Sequence, residues 1–558
     1  MNSSDRSHSA RSDTPVLIVG AGPVGCILAL ELARHDVPSI LIERSLTPSR
    51  YPKMDYINGR SMELLRRLGL AEEIRERGVS PQLPSNFLWT RGFDEPPVAL
   101  WEYASPAELM RRAAEINDGS MPVEPYQRVQ GSLLEEIVRR RVRETPLVDF
   151  REGWSFTGLR QDARDERDER DARDAQGAEV DVVDTTTDTR HTIRAGYVAA
   201  CDGAGSQVRR SLDIPVDALA AHTTHCSVYF RSGDPVLRRY GRAFVTIAAR
   251  GLTLVSRDED DTWTGSFVIP DGAPSPSDPI ASIRERLGAD FTADEVLNVS
   301  QWQGTLSVAR SYRRGAAFLL GDSAHQFYPV GGHGANTGIA DAVDLGWKLA
   351  GRVQGWGGPV LLDSYAAERR PVALFTREMC ANLLEVYRRF PRLVQQDATR
   401  GQIAGFLDEE IYQLDNVGIH FGYRYAASPV VHHEDGVEPD WRWRKITPTT
   451  WPGGRAPAVR LADGTQLFDR LGTGFTLVDL SGRAAGERLV KEAARRSVPM
   501  THLQVDDAEV RACWERDLVL VRPDQHVAWR ADSVPDDHDA VVDLVCGHPA
   551  AVGRGEGA

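Results

Sequence analysis

Six residues near the start of the chain, Gly20-Ala21-Gly22-Pro23-Val24-Gly25, constrain its fold more than any other feature. Before them, Pro15 to Val19 is a short apolar run that reads as a buried strand. After them, Val24 to Arg34 reads as a helix and Pro38 to Glu43 as the next strand. Strand, glycine turn, helix and strand make a βαβ unit. The first glycine permits a tight turn, the second lets a pyrophosphate approach the backbone, and the third lets helix and strand pack closely. Free N–H groups at the helix start then face the phosphate oxygens. Glu43 ends the second strand, where its carboxylate can accept hydrogen bonds from ribose hydroxyls, and Arg44 beside it falls near adenine or ribose. Gly20, Gly22, Val24, Gly25, Glu43 and Arg44 are the first candidate contacts of a dinucleotide cofactor.

A chain of 558 residues has the length of about three or four domains. With 41% hydrophobic and 26% charged residues it is globular, which excludes a disordered or collagen-like chain. A formal charge of −14 argues against a bulk grip on nucleic acid. The six cysteines include no CxxC pair and no zinc-like spacing with histidine, so reduced thiols in a cytoplasmic protein without a metal are expected. No membrane anchor is expected, because an apolar run of about 18 residues is missing. The stretch Val16 to Leu30 is apolar, but it holds the motif glycines and no small-residue cleavage site, so it is not read as a secretory signal.

Residues 1–12 read as a disordered tail. Ser61 to Gly69 and Ser132 to Val142 have the pattern of amphipathic helices. The run 161–177, QDARDERDERDARDAQG, has no apolar residue larger than alanine and reads as a solvated loop tip or short exposed helix between two strands. From 226 to 269 the pattern is that of an antiparallel sheet. Gly315 to Gly321 reads as a short buried strand, and Ala340 to Arg352 as a helix. A helical stretch broken by Pro391 is expected to run to about Asp415, with a linker at 429–457 and a separate small domain over 458–547.

A second segment separates FAD from NAD. Phe318 to His325 ends a strand in Gly321-Asp322, and the loop through Pro329, Gly331, Gly332, Gly334 and Asn336 opens another helix. Asp322 at the strand end can meet a polyol chain, and the helix start favours negative charge on a reduced flavin ring. An NAD site needs no second polyol contact some 300 residues downstream, whereas the ribityl chain of FAD does.

With these residues in place, the chain resembles the single-component FAD-dependent aromatic hydroxylases of the para-hydroxybenzoate hydroxylase fold. The resemblance rests on GAGPVG with Glu43, on Cys201-Asp202-Gly203-Ala204-Gly205-Ser206-Gln207-Val208-Arg209, and on the run from Gly321 to Ala350. It spans roughly 13 to 385. The segment 452–530 is similar to the thioredoxin-like C-terminal domain of the phenol and polyketide hydroxylase branch, here without CxxC. The fold implied is α/β: a Rossmann-like FAD-binding domain (13–214 and 303–385) interrupted by an antiparallel β substrate domain (215–302). A helical segment and linker (386–449) and a thioredoxin-like domain (450–558) follow.

The resemblance also implies residue roles. Arg60 corresponds to an arginine on the FAD phosphates, Asp202 to an aspartate implicated in FAD and nicotinamide binding, and Asp322 to the ribityl contact. Pro329 corresponds to a proline whose carbonyl faces the substrate beside the flavin; Ala335 and Asn336 correspond to backbone groups near the flavin pyrimidine, Gly331 and Gly334 belong to the same cofactor-binding loop, and His333 stands at a variable position. The family's flavin-side glutamine has two candidates, Gln127 and Gln130, of which Gln130 is carried forward. The reaction implied is hydroxylation of a phenolic or polycyclic aromatic by O2 and NADPH or NADH through a flavin C4a-hydroperoxide. A base that ionises the phenol would help, and His225, Tyr229, His222 and Asp55 are the candidates by location. A homodimer is left open. The alternatives are a reductase of the geranylgeranyl reductase type, a non-catalytic FAD-binding module, and a flavin-dependent halogenase, whose tryptophan box Trp441 to Pro448 superficially matches but lies after the third fingerprint.

Overall fold

The structure is a computed structural model of the chain and describes residues 13–48, 51, 54–161, 177–219, 223–270, 272–274, 276–414 and 416–549. The N-terminal tail, residues 162–176 of the charged run, and His222 lie outside the described residues.

Strand Thr14–Val19 is the centre of the first sheet. It pairs in parallel with Ser39–Glu43 on one side and with Thr189–Ala200 on the other. Parallel pairing continues outward to Val148–Glu152 and to Ala317–Leu319. Val16, Leu17 and Ile18 are fully buried, as expected for a parallel strand covered on both faces. Helices Pro23–Arg34, Gly59–Arg67 and Gly131–Arg143 form where the apolar periods place them. Trp154–Gln161 and Ala178–Asp184 are the antiparallel pair that brackets the charged run.

The second sheet has seven strands, in the order 295–304, 223–231, 262–268, 252–256, 245–248, 87–90, 99–101. It is antiparallel except where Val245–Ala248 runs parallel to Phe87–Thr90. Phe87–Thr90 and Ala99–Trp101 lie within 13–214, the stretch expected to belong wholly to the FAD domain, yet they extend the substrate sheet. Trp89 and Trp101 pack there with ring centroids 4.7 Å apart and planes tilted at 59°, both fully buried. The C-terminal unit has a four-stranded sheet ordered 500–504, 475–479, 518–521, 527–531, its first pair parallel and the others antiparallel. Helices Glu487–Arg495, Ala508–Trp514 and His538–Cys546 complete a thioredoxin-like arrangement, in which Cys513 and Cys546 are free thiols.

The expected break at Pro391 is absent. Helix Val360–Gln395 runs through Pro371 and Pro391, and the chain turns only before Arg400–Glu410. An interior proline costs about 3 kcal/mol or more. The helix offsets that by burying Leu383, Val386 and Phe390, the last edge-on to Trp89 at 5.3 Å. Among the described residues no helix is long and apolar enough to cross a membrane.

Candidate active site

The first glycine turn is shaped by contacts that exclude side chains. Gly20 has φ +102°, and a Cβ there would fall 2.5 Å from the Cys201 carbonyl oxygen; one on Gly25 would fall 2.0 Å from the Gly20 oxygen. Gly22 differs: its backbone is extended (φ −67°, ψ 177°) and, apart from its own chain neighbours, no protein atom lies within 4 Å of its Cβ position. Nothing in the chain demands glycine at 22, so the open space fits a group that approaches the backbone. Glu43 holds the turn, accepting from Ala21 N at 2.8 Å and Ser45 N at 3.0 Å. Arg139, buried, donates to the Ala21 oxygen at 3.0 Å and lies 3.6 Å from Glu43. Sequence reasoning missed Arg139; its signal is the helical i,i+4 pair with Glu135, at 2.7 Å.

The second turn comes to the first through the 22-residue helix His333–Gln354. Gly338 lets that helix approach: a Cβ there would fall 2.7 Å from Val24 Cγ2 and 3.0 Å from Gly321 Cα. His325 Nε2 and Arg369 Nε grip Asp341 at 2.8 Å each, and Gly321 N donates to the same carboxylate at 3.2 Å. Asp322 is exposed at the mouth of this turn, with Oδ1 4.0 Å from the Cβ position of Gly334. Asn336 accepts from Asn58 N at 3.0 Å and donates to the Tyr56 oxygen at 3.0 Å, tying segment 56–58 to the helix start.

Gly22, Val24, Asp322, Pro329, Gly331, Gly334 and Ala335 line one continuous cleft of about 1390 Å³. Single-ligand pockets span roughly 300–1,000 Å³, so this cleft has room for more than one ligand. Asp202 caps the turn beside it, accepting from Gln207 N at 2.7 Å and Val208 N at 3.1 Å, while its Oδ1 is buried with no partner. That orphaned acceptor, the open Gly22 and the free N–H groups at two helix starts fit a nucleotide cofactor of the FAD type.

One expected contact, Arg60, has other partners, and the other, Arg44, stays open to solvent beside Glu43. Arg60, expected on the phosphates, is buried against the C-terminal domain: it donates to the Asp524 oxygen at 2.6 Å and to Gln525 at 2.5 Å, and pairs with Glu63 at 3.2 Å. Arg44 is exposed at the strand end. Gln127 is spent on Val79 and Arg128 oxygens, whereas Gln130 precedes helix Gly131–Arg143 and accepts from the Tyr229 hydroxyl at 3.2 Å.

Of the base candidates, His225 and Asp55 line the cleft and Tyr229 does not. His225 stacks on Trp302 at 4.3 Å and meets Tyr328 edge-on at 5.7 Å. Its Nε2 is buried without a partner, and burial pushes its pKa down to about 4. Trp302 is fixed by donating to Ser227 Oγ at 2.8 Å. Asp55 pairs with Arg257, which also donates to Thr264 at 2.8 Å; this ion pair bridges the cofactor domain and the sheet.

Residues 13–377 match the family model described as FAD binding domain, and residues 449–549 the model described as aromatic-ring hydroxylase, C-terminal. The chain belongs to the FAD-binding aromatic-ring hydroxylase family and is an FAD-dependent monooxygenase. It is 36% identical to FAD-dependent monooxygenase apdD of Emericella nidulans over 94% of this chain and 88% of that one. It is 27% identical to phenol 2-monooxygenase of a Pseudomonas species, over 96% of this chain and 93% of that one. Among solved structures it resembles RebC with bound 7-carboxy-K252c, with a TM-score of 0.84 and 31% identity, over 97% of this chain and all of that one.

Proposed function

We propose that this monooxygenase hydroxylates a phenolic or polycyclic aromatic carbon, with NADPH or NADH as reductant. The single observation that carries this reading is the cleft itself, which runs from Gly22 past Gly334 to a wall of His225, Phe244, Trp302 and Tyr328. A relative named for phenol, and the match of residues 449–549 to the aromatic-ring hydroxylase C-terminal model, support an aromatic substrate. FAD, when bound, supplies the redox chemistry and oxygen activation. Gly22, Asp202, Asp322 and the start of helix His333–Gln354 are the groups that would hold it.

The chain's own task is to place a flat ring and keep water out. His225 is neutral at pH 7 and presents a hydrogen-bond acceptor. It does not ionise the substrate: against a phenol near pKa ~10, a base held down to about 4 faces roughly 8 kcal/mol uphill. Its role is to orient a hydroxyl while the Trp302 ring holds it in place. The Asp55–Arg257 ion pair lines the same cleft.

The test is incubation of the FAD-loaded protein with NADPH or NADH, labelled O2 and a panel of phenols and fused polycycles. The expected result is one labelled oxygen atom in a product and faster flavin reduction with that compound. Reductant consumption that yields only peroxide with every compound overturns the proposal.

A further inference from the structure

Two buried histidines in the cleft have no part in the function proposed above. His333 is the first residue of helix His333–Gln354, and His420 lies in the short helix Val417–Phe421. Both line the cleft, at 3% and 8% exposure. His333 Nδ1 and His420 Nε2 are 3.4 Å apart, with the ring planes at 60°. Among the described residues, neither ring has an ion-pair partner. Burial holds His333 down to about 4 and His420 well below the usual histidine value, each beside the other. The helix start carries partial positive charge, which acts in the same direction. Both rings are therefore neutral at pH 7, and each owns one N–H and one lone pair.

Their placement joins the two ends of the cleft. On the inner side, the His333 ring lies under the glycine loop: a Cβ on Gly331 would fall 2.5 Å from His333 Nε2. On the outer side, Gly418 N donates to the Trp443 oxygen at 2.7 Å and Trp441 Nε1 donates to the Gly418 oxygen at 2.9 Å. These bonds tie the helix carrying His420 to segment 441–446, whose exposed Arg444 and Lys445 line the same cleft. Arg444, Lys445, His420, His333 and the glycine loop thus line one cleft, and His333 is the member that meets both His420 and the loop.

The proposed reaction needs a proton. Its balance is ArH + O2 + NAD(P)H + H⁺ → ArOH + H2O + NAD(P)⁺, so each turnover takes one proton from solvent into a cleft built to exclude water. We infer that His333 and His420 form a proton relay from the outer edge of the cleft to its glycine-loop end. This inference rests on the proposed hydroxylation. A proton arrives at His420 Nδ1, the Nε2 proton of His420 passes to His333 Nδ1, and the Nε2 proton of His333 leaves into the cleft. One proton enters and one leaves, both rings stay neutral, and the hydrogen bond between them reverses direction; each ring must return to its starting tautomer before the next proton can follow.

The first measurement is made on the full chain without flavin. Nitrogen-15 labelled histidine should show a scalar coupling across the His333 Nδ1 to His420 Nε2 bond, with both rings neutral from pH 8 to 6. No coupling, or two rings that titrate independently near pH ~6.5, overturns the relay. The second is made on FAD-loaded enzyme with its best substrate. Glutamine retains a hydrogen bond but cannot pass a proton, so His420→Gln should keep its flavin and KM and lose at least tenfold in kcat. His420→Gly should regain part of that rate in added imidazole. Parent-like kcat in His420→Gln overturns the relay. A parent enzyme with a coupled pair but no oxygenated product instead fails the proposed function and leaves the pair intact.

Discussion

The cofactor end of the cleft and the seam with the C-terminal domain are built by opposite means. At the cofactor end the chain leaves things out: no Cβ at Gly20, Gly22 or Gly25, no donor partner for Asp202 Oδ1, and no carboxylate paired with His333 among the described residues. At the seam it packs charge against charge. Arg522, fully buried, pairs with Asp344 at 2.9 Å, Glu368 at 2.6 Å and Asp524 at 2.7 Å. Lys348 joins both Asp344 and Glu368, and Arg455 pairs with Glu63. Burial pushes Asp344 up, whereas the neighbouring cations hold Glu368 down despite its burial. The contrast teaches that a ligand site is specified by open positions that a ligand can fill, and a domain seam by buried charges whose full complement of partners comes from both domains.

Acid should separate the two regions most sharply. His333 at the cleft and His526 at the seam are both buried and both held near 4. Unfolded histidine titrates near pH ~6.5. Between there and pH 4 the unfolded state binds protons that the folded state refuses, so stability falls as pH falls and levels off below about 4. Each fully buried ring contributes up to roughly 3 kcal/mol to that loss. The seam carries one such ring, whereas the cleft carries two in contact, because His420, 3.4 Å from His333, is also held well below the usual histidine value. The cleft should therefore give way first. Flavin fluorescence should rise at a higher pH than the one at which tryptophan emission from the seam residues Trp347 and Trp529 shifts. Coincident transitions would break the contrast.

Next in size is Arg522→Met. It leaves Asp344, Glu368 and Asp524 short of a cation and should cost about 3–5 kcal/mol. The C-terminal domain should come loose at lower denaturant, and Arg60 should lose its two acceptors on the same hairpin. Gly22→Ala probes the other end and should do the reverse. The extended backbone at 22 accepts alanine, so flavin-free stability should stay within about 0.5 kcal/mol, while FAD affinity drops at least tenfold, about 1.4 kcal/mol. Unchanged FAD affinity in Gly22→Ala would mean that the open space at 22 is not where the cofactor approaches.

The same contrast explains what the sequence could tell. Close backbone approach restricts residue type locally, so the turn from Gly20 to Gly25, where a Cβ on Gly20 or Gly25 would fall within 2.5 Å of a carbonyl oxygen, is legible without knowing the fold, and the groups proposed to hold FAD follow from that pattern. The seam is not legible. Arg60 carries the local pattern of a phosphate arginine, but its partners lie 464 and 465 residues away in sequence, on a hairpin that nothing near Arg60 announces. Phe87–Thr90 and Ala99–Trp101 are equally hidden: strands of four and three residues have no measurable alternation, and their place is set by pairing of the first with Val245–Ala248 and of the second with the first. Pro391 misleads for a related reason, since the burial of Phe390 against Trp89 is a tertiary contact that outweighs the local rule.

The smallest expected effect tests whether Tyr229 belongs to the chemistry or to the scaffold. Its hydroxyl donates to Gln130 Oε1 at 3.2 Å, and Gln130 stands immediately before helix Gly131–Arg143, the helix that carries Arg139 under the glycine turn. Tyr229 itself does not line the cleft, and burial raises its pKa above the usual tyrosine value, which disfavours the phenolate. Tyr229→Phe removes one hydrogen bond and should cost about 1 kcal/mol of stability. Because the lost bond acts on the helix and not on the substrate, kcat should hold while FAD binds slightly more weakly. A tenfold fall in kcat with normal flavin content would move Tyr229 from scaffold to reaction, and would extend the cleft's chemistry to a side chain that the present geometry keeps outside it.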